Sequence, residues 1–440
     1  MRFRFTIFIL LLLTSCGRDS AELPGKVVLF GIDAADRVVI ERMAGRGELP
    51  HFARLMRDGV IATMLVEEPV FSPVVWTSEL TGFRPDAHGI TSFTRMADGK
   101  RVPVTSNLRA RKSVWEIAGD EGVEVGVVGH WVTWPAEPVN GFLVSNYAFP
   151  PSPEYEKEWT PTTDWDSIGF RTYPADILDD FRSYAKNSPL VRTDEVPRAS
   201  LLDTALKHYF EKDMANLNGG VRLFDEYDPR FLTIYMESID FFQHRLWLLH
   251  EYYEFRKYDK DMAPLEVPER EPPASAWTEM GALVGDSYRL ADRWLGILLE
   301  RLDLSRDAIV IVSDHGFESF PPGTERHIGD DRRQVMPFWH SDRALLIAAG
   351  PPFRAGGAPD DPIRPEDVTP LVLHILGLAV GEDMDGEVPL RLLDPRFAEA
   401  FPVRTVTTYE TGDEEREEVP IASPADDAMR AMLKSLGYLD

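Results

Sequence analysis

The chain has 440 residues, 47 of them basic and 73 acidic, for a formal net charge of −26. That balance disfavours wrapping a nucleic-acid polymer or lying electrostatically on anionic lipid. A single cysteine rules out an internal disulfide and a thiolate metal site, so any metal ligand must be nitrogen or oxygen.

Residues 1–15 read as an export signal. Arg2 and Arg4 form a basic start, and residues 5–13 an apolar run too short to span a bilayer comfortably. Leu13-Thr14-Ser15-Cys16 is the small-residue pattern of a cleavage site. It resembles the lipobox of bacterial lipoproteins, which implies acylation of Cys16, membrane attachment through that lipid in the cell envelope, and a linker over 16–25. An ordinary signal peptide or an uncleaved anchor is the alternative reading.

Residues 26–32 are a β-branched, apolar run of the kind buried on both faces of a sheet, with Asp33 at its carboxyl end. Leu49, Phe52, Leu55 and Met56 recur at spacings of three and four, which predicts a helix ending at Gly59, and 60–66 returns as a strand. Ser72 followed by Pro73 predicts a helix with Ser72 as N-cap and proline at the first helical position, running to about Gly82. The alternation continues with a helix at 114–118, strands at 123–128 and 231–236, and a long helix near 277–302. Strands at 308–312 and 344–348 and a helix at 368–376 follow. This pattern predicts an α/β fold with a mostly parallel central sheet sandwiched by helices, in a catalytic domain over 26–395. Ligands of such sheets bind beyond the carboxyl ends of the strands. Two stretches break the rhythm, 150–218 (helical from 201 to 216) and 247–276, and are expected as inserted cap segments, with peripheral packing as the alternative. Residues 396–440 read as a C-terminal tail with a solvated acidic run.

Polar residues cluster where apolar strands end. Asp33 closes the first strand. Asp240 and His244 follow the strand at 231–236, four residues apart and so on one helical face. Asp314 and His315 end Ile309-Val310-Ile311-Val312-Ser313, and His340 lies just before 344–348. Each alone reads as a cap, a turn or a surface pair. Together, three carboxylates and three imidazoles on one sheet edge suit zinc or a similar divalent ion. They are too many for one tetrahedral site with an open position and the right number for two sites, a pair that can clamp the attacking and leaving oxygens at phosphorus. Ser72 is the candidate nucleophile, since a hydroxyl at a helix N-terminus faces amides that can hold a phosphoryl oxygen. Thr77, deeper in the helix, is the competing hydroxyl.

The order of these motifs resembles the alkaline phosphatase superfamily, and within it the type I phosphodiesterase/nucleotide pyrophosphatase branch. The matching stretches are Phe30-Gly31-Ile32-Asp33, Ser72 to Gly82 with Pro85, His88-Gly89-Ile90, Asp240 to His244, Ser313-Asp314-His315-Gly316, His340 with Gly350-Pro351, and Met384-Asp385-Gly386. The resemblance implies two divalent ions, zinc with manganese and iron as alternatives. Asp33, Ser72, Asp314 and His315 would surround one, and Asp240, His244 and His340 would hold the other. It implies transient phosphorylation of Ser72 and a small phosphate-ester substrate. Nucleotide pyrophosphatases of this branch carry threonine as nucleophile and an asparagine shortly after His-Gly-Ile, where this chain has Ser72 and Thr91-Ser92-Phe93. Arg109, Arg111 and Lys112 are substitutes for that donor, with a surface role as the bland reading of each. His88 reads as structural, and His130 and His327 as ordinary polar residues. A sulfatase or phosphotransferase of the same fold, or a non-catalytic metal-binding lipoprotein, are the rival functions. Ser72-Pro73-Val74-Val75-Trp76 lacks the arginine of a sulfatase motif.

Overall fold

The computed structural model describes residues 21–97, 99–149, 168–187, 190–192, 204–257, 274–320, 326–327, 335–336, 338–357, 359–410, 419–423 and 426–435. Cys16 and the export signal lie outside them, as does the acidic run at 413–418. Eight strands form the central sheet, in the order Val60–Leu65, Arg343–Ala349, Ala308–Val312, Val27–Ile32, Phe231–Met236, Val125–Val128, Gly141–Val144, Thr172–Tyr173. Ala308–Val312, Val27–Ile32, Phe231–Met236, Val125–Val128 and Gly141–Val144 pair in parallel. Arg343–Ala349 runs against both neighbours, and Thr172–Tyr173 against its one. The sheet is therefore mostly parallel, as its apolar runs predict.

The central strand is buried along its whole length, and its alternate residues enter two different cores. Val28, Phe30 and Ile32 face one core with the helices Arg37–Gly45, Thr204–Tyr227, Ser238–Lys257 and Ala274–Leu299. Val27 and Leu29 face the other with Ser72–Thr81, Val114–Asp120 and Val368–Ile375. Side chains alternate across a strand, so a two-sided apolar run needs a helical layer on each face.

The described parts of the stretches expected as cap segments contain helices that pack on the first core. The helix Thr204–Tyr227 is a layer element: Phe210, Met214, Leu217, Val221 and Phe224 line up at spacings of three and four and enter the first core. Its Gly219-Gly220 pair marks a close approach. A Cβ on Gly219 would sit 2.4 Å from the Phe181 ring, and one on Gly220 2.8 Å from Ile234. No break occurs at 247 either, because one helix runs from Ser238 to Lys257 with Trp247 buried. The chain after 396 returns to the body through Phe397 in the second core and through Met429 and Leu433. The last two join Phe93, Trp134, Tyr147, Tyr209 and Phe241 in a third apolar cluster.

Candidate active site

Asp33, Ser72, Asp240, His244, Asp314, His315 and His340 all come to one edge of the sheet, and Cys16 lies outside the described residues. Asp33 follows Val27–Ile32, and its amide donates to Met236 O at 2.9 Å. Asp240 and His244 occupy the first two turns of Ser238–Lys257. Asp314 and His315 follow Ala308–Val312, and His340 enters from the strand Phe338–Ser341, paired with Gly316–Ser319. Ser72 opens the helix that follows Val60–Leu65. Parallel strands deliver their ends to the same edge, which brings residues 33, 240 and 314 together, and His340 reaches that edge because it precedes Arg343–Ala349, which runs the opposite way.

The six side chains are buried and close-set. His244 Nε2 lies 2.9 Å from His340 Nε2, and Asp240 Oδ1 lies 3.3 and 3.5 Å from those two nitrogens. His315 Nε2 lies 3.6 Å from Asp33 Oδ1 and 3.4 Å from Asp314 Oδ2. Two triads can each offer one ligand atom within a single sphere of contact: Asp240, His244 and His340, and Asp33, Asp240 and His315. Asp240 thus stands between the two halves, a bridging position that the resemblance does not imply.

The outer contacts fix which atoms face inward. His315 Nδ1 is 3.0 Å from Gly316 O, and His340 Nδ1 is 2.9 Å from Val70 O. A carbonyl only accepts, so each Nδ1 carries the proton and each Nε2 turns a lone pair toward the carboxylates. Asp314 Oδ1 accepts from Ala34 N at 3.1 Å, and Tyr235 Oη donates to Asp33 Oδ2. Asp33 Oδ1, Asp240 Oδ1, Asp314 Oδ2 and His315 Nε2 remain, all buried and without hydrogen-bond partners. Buried lone pairs that face one another are costly unless a cation sits among them.

The electrostatics agree. Burial, then the Asp314 and Asp240 carboxylates, push the Asp33 carboxyl well above the usual carboxylate range, against the pull of the Tyr235 hydrogen bond. Burial pushes Asp314 up to about 7; the Ala34 amide and the Ser72 hydroxyl oppose the shift, and Asp240 adds to it. Burial lowers His244, His315 and His340 to about 3, so all three imidazoles are neutral donors of lone pairs. Perturbations of this size gathered in one buried cluster of titratable groups mark a functional site.

Ser72 is 2% exposed and is the first helical residue, with Phe71 as N-cap, instead of the N-cap that the Ser-Pro pair predicts. Phe71 is extended and its carbonyl takes the Val74 and Val75 amides, so the Ser72 hydroxyl makes no cap bond and faces Asp314. Thr77 Oγ1 instead donates to Pro73 O at 2.6 Å. His88 bridges Ser78 Oγ at 3.0 Å and the Ile90 amide at 3.2 Å, in keeping with a structural residue. Arg109 does not lie on the surface. It is buried, tied to Glu116, Glu137 and Val132 O, and so holds the fold. Lys112 pairs with Asp120, and Arg111 lies over the Phe83 ring. His130 is buried behind the site with Nε2 2.6 Å from Thr233 Oγ1, and the side chain of His327 is outside those described.

Sequence reasoning missed several supporting residues. Tyr235 grips Asp33, and Gln243 donates to Ala34 O at 2.8 Å. Ala34 itself sits at φ 56°, a left-handed conformation unusual for a residue with a Cβ, held because its N–H and C=O are both claimed. Asp213 receives the Glu237 and Ser238 amides at 3.0 and 2.8 Å, capping the helix that carries Asp240 and His244. A phenol at the end of an otherwise apolar strand is the one local signal among these; the others depend on contacts remote in sequence.

A model of the type I phosphodiesterase/nucleotide pyrophosphatase family matches residues 27–351, from the central strand through the last site motif. The chain belongs to that family. As a type I phosphodiesterase/nucleotide pyrophosphatase family member it is a phosphoric ester hydrolase, of a metal-dependent class, and its Asp and His groups are of the kind that hold metal ions. Solved structures similar to it include murine ectonucleotide pyrophosphatase/phosphodiesterase 5 as an inactive variant in complex with AMP. That match has 12% identity over 84% of this chain and 100% of the other, with a TM-score of 0.49. A second structure of the murine protein (12% identity over 84% of this chain and 100% of the other, TM-score 0.48) and one of the human protein (13%, 84% and 100%, 0.46) are similar as well.

Proposed function

We propose that this chain hydrolyses small phosphate esters with Ser72 as nucleophile beside two divalent cations. Asp33, Asp314 and His315 would hold the cation next to Ser72, and Asp240, His244 and His340 the other, with Asp240 placed to touch both. The observation that carries this reading is the set of buried atoms without hydrogen-bond partners that face one space next to the Ser72 hydroxyl. Four oxygen and nitrogen lone pairs, with no sulfur, suit zinc, and manganese and iron share these ligand types. When bound, such ions lower the pKa of a nearby hydroxyl and neutralise charge on the phosphoryl oxygens.

Ser72 Oγ would lose its proton and attack phosphorus in line with the departing oxygen. The Oγ–P bond forms as the ester P–O bond breaks, and the leaving oxygen takes up a proton to become an alcohol. Water then cleaves the Ser72 Oγ–P bond, which restores the hydroxyl and releases phosphate from a monoester or a phosphomonoester from a diester. Phe93, buried between Phe71 and Trp131, stands near where nucleotide pyrophosphatases carry an asparagine. This aromatic wall adjoins Ser72 through Phe71, and an aryl mono- or diester is the assay substrate. Ser72→Ala should retain bound metal while hydrolysis collapses; full activity in that variant ends the phosphoserine mechanism.

The lipobox at Cys16 supports a lipid-anchored protein of the bacterial cell envelope. No described helix is long and apolar enough to cross a membrane. Cys16→Ser should move the protein from the membrane fraction to the soluble one, and unchanged partitioning contradicts the anchor.

A further inference from the structure

We infer that Tyr235, held from behind by Trp131, is a positioning residue that sets the affinity of the site for the cation nearest Asp33, an inference that rests on the two-cation reading above. An indole N–H can only donate, and that of Trp131 donates to Tyr235 Oη at 2.8 Å. The phenol's own proton is thereby directed to Asp33 Oδ2. The carboxylate is pinned through one oxygen and presents the other, Oδ1, toward His315. Outer contacts of this kind orient a ligand before the ion arrives.

The ring of Tyr235 is fixed independently of its hydroxyl. Trp76, on the helix that begins at Ser72, meets it edge-on with centroids 5.2 Å apart, and His130 lies at 5.3 Å. A phenylalanine would satisfy that packing, so a tyrosine needed only as core would lose nothing by the exchange. Trp131 also touches the wall beside the nucleophile: its ring meets Phe93 at 5.6 Å, and Phe93 meets Phe71 at 5.5 Å. One indole therefore joins the Phe93–Phe71 wall that precedes Ser72 and, through the phenol, the carboxylate of Asp33.

The test is a calorimetric titration of the full chain, stripped of metal, with zinc alone, for wild type, Tyr235→Phe and Trp131→Phe, with Tm measured on the same samples. Wild type should bind two ions. Tyr235→Phe should bind one ion as wild type does and the other about 10–100-fold more weakly, with Tm of the stripped protein little changed, and Trp131→Phe should fall between. A wild type that binds no zinc sinks the two-cation reading and this inference with it. If wild type binds two ions and Tyr235→Phe binds both at unaltered affinity, the positioning role is overturned while the two-cation reading stands. Equal weakening of both ions together with a lowered Tm also overturns it, since that marks a general fold defect.

Discussion

Asp213→Ala removes the carboxylate that receives two amides where the Asp240 and His244 helix begins. Asp213 has no exposed surface, so water cannot take its place. Loss of a helix cap costs about 0.5–2 kcal/mol, and a buried N–H left without an acceptor about 1–3 kcal/mol. These overlap, and the expected total is about 2–4 kcal/mol. Asp213→Asn keeps one acceptor oxygen and should cost about half as much. The assay is urea unfolding, read as a fall in midpoint at unchanged slope. Activity should fall further than the folded fraction, because the turn that frays carries Asp240. A loss below about 0.5 kcal/mol for Asp213→Ala, the range of an ordinary surface change, would refute the reasoning.

Asp213 also has a pH signature. Burial, then the Glu237 charge, push its carboxyl up to about 7, whereas an unfolded aspartate titrates near about 3.9. The folded chain therefore holds this proton more tightly, so the stability it contributes is complete below about pH 4 and is lost as pH rises through 7. That component should be missing from Asp213→Asn, whose stability difference from wild type should drift across the same window.

Three other outcomes follow from the same packing. Arg109→Met leaves Glu116 and Glu137 facing each other without their shared cation, at a cost of about 3–5 kcal/mol for breaking a buried pair; a change under 1 kcal/mol in urea unfolding contradicts this. Gly31→Ala would place a Cβ 2.8 Å from the Trp76 ring and 3.1 Å from His130. Overpacking of that kind costs about 1–3 kcal/mol, and because Trp76 shares the helix of Ser72, hydrolysis should fall along with Tm, a link that unchanged activity would break. His88 is held neutral, its pKa lowered to about 3 chiefly by burial, while an unfolded histidine titrates near about 6.5. Its contribution is complete above pH 6.5 and is lost as pH falls toward 3, so His88→Gln should lose less stability than wild type between pH 6.5 and 4; equal losses contradict it.

The parts of this fold that the sequence makes legible are local. Val27–Ile32, Phe231–Met236 and Ala308–Val312 are apolar runs that end at or near a carboxylate, and the parallel sheet turns those ends into one site edge. What escapes a sequence reading is set by distance through the chain. Asp213 caps a helix that starts 25 residues later, Tyr235 grips a carboxylate 202 residues earlier, and no periodicity encodes either contact. Gly219-Gly220 is of the same kind: the need to pass close to Phe181 and Ile234 is visible only in three dimensions. Arg109 shows the same limit, since a charged residue in a polar stretch gives no sign of the two carboxylates that let it be buried.

The most direct test of the paired cation pocket is the metal content of the purified chain after equilibration with zinc or manganese and removal of free ion, alongside Asp240→Ala. About two ions per chain are expected in wild type. The variant should hold fewer, because Asp240 reaches both triads. A wild-type chain that retains no ion under saturating zinc or manganese would contradict the account.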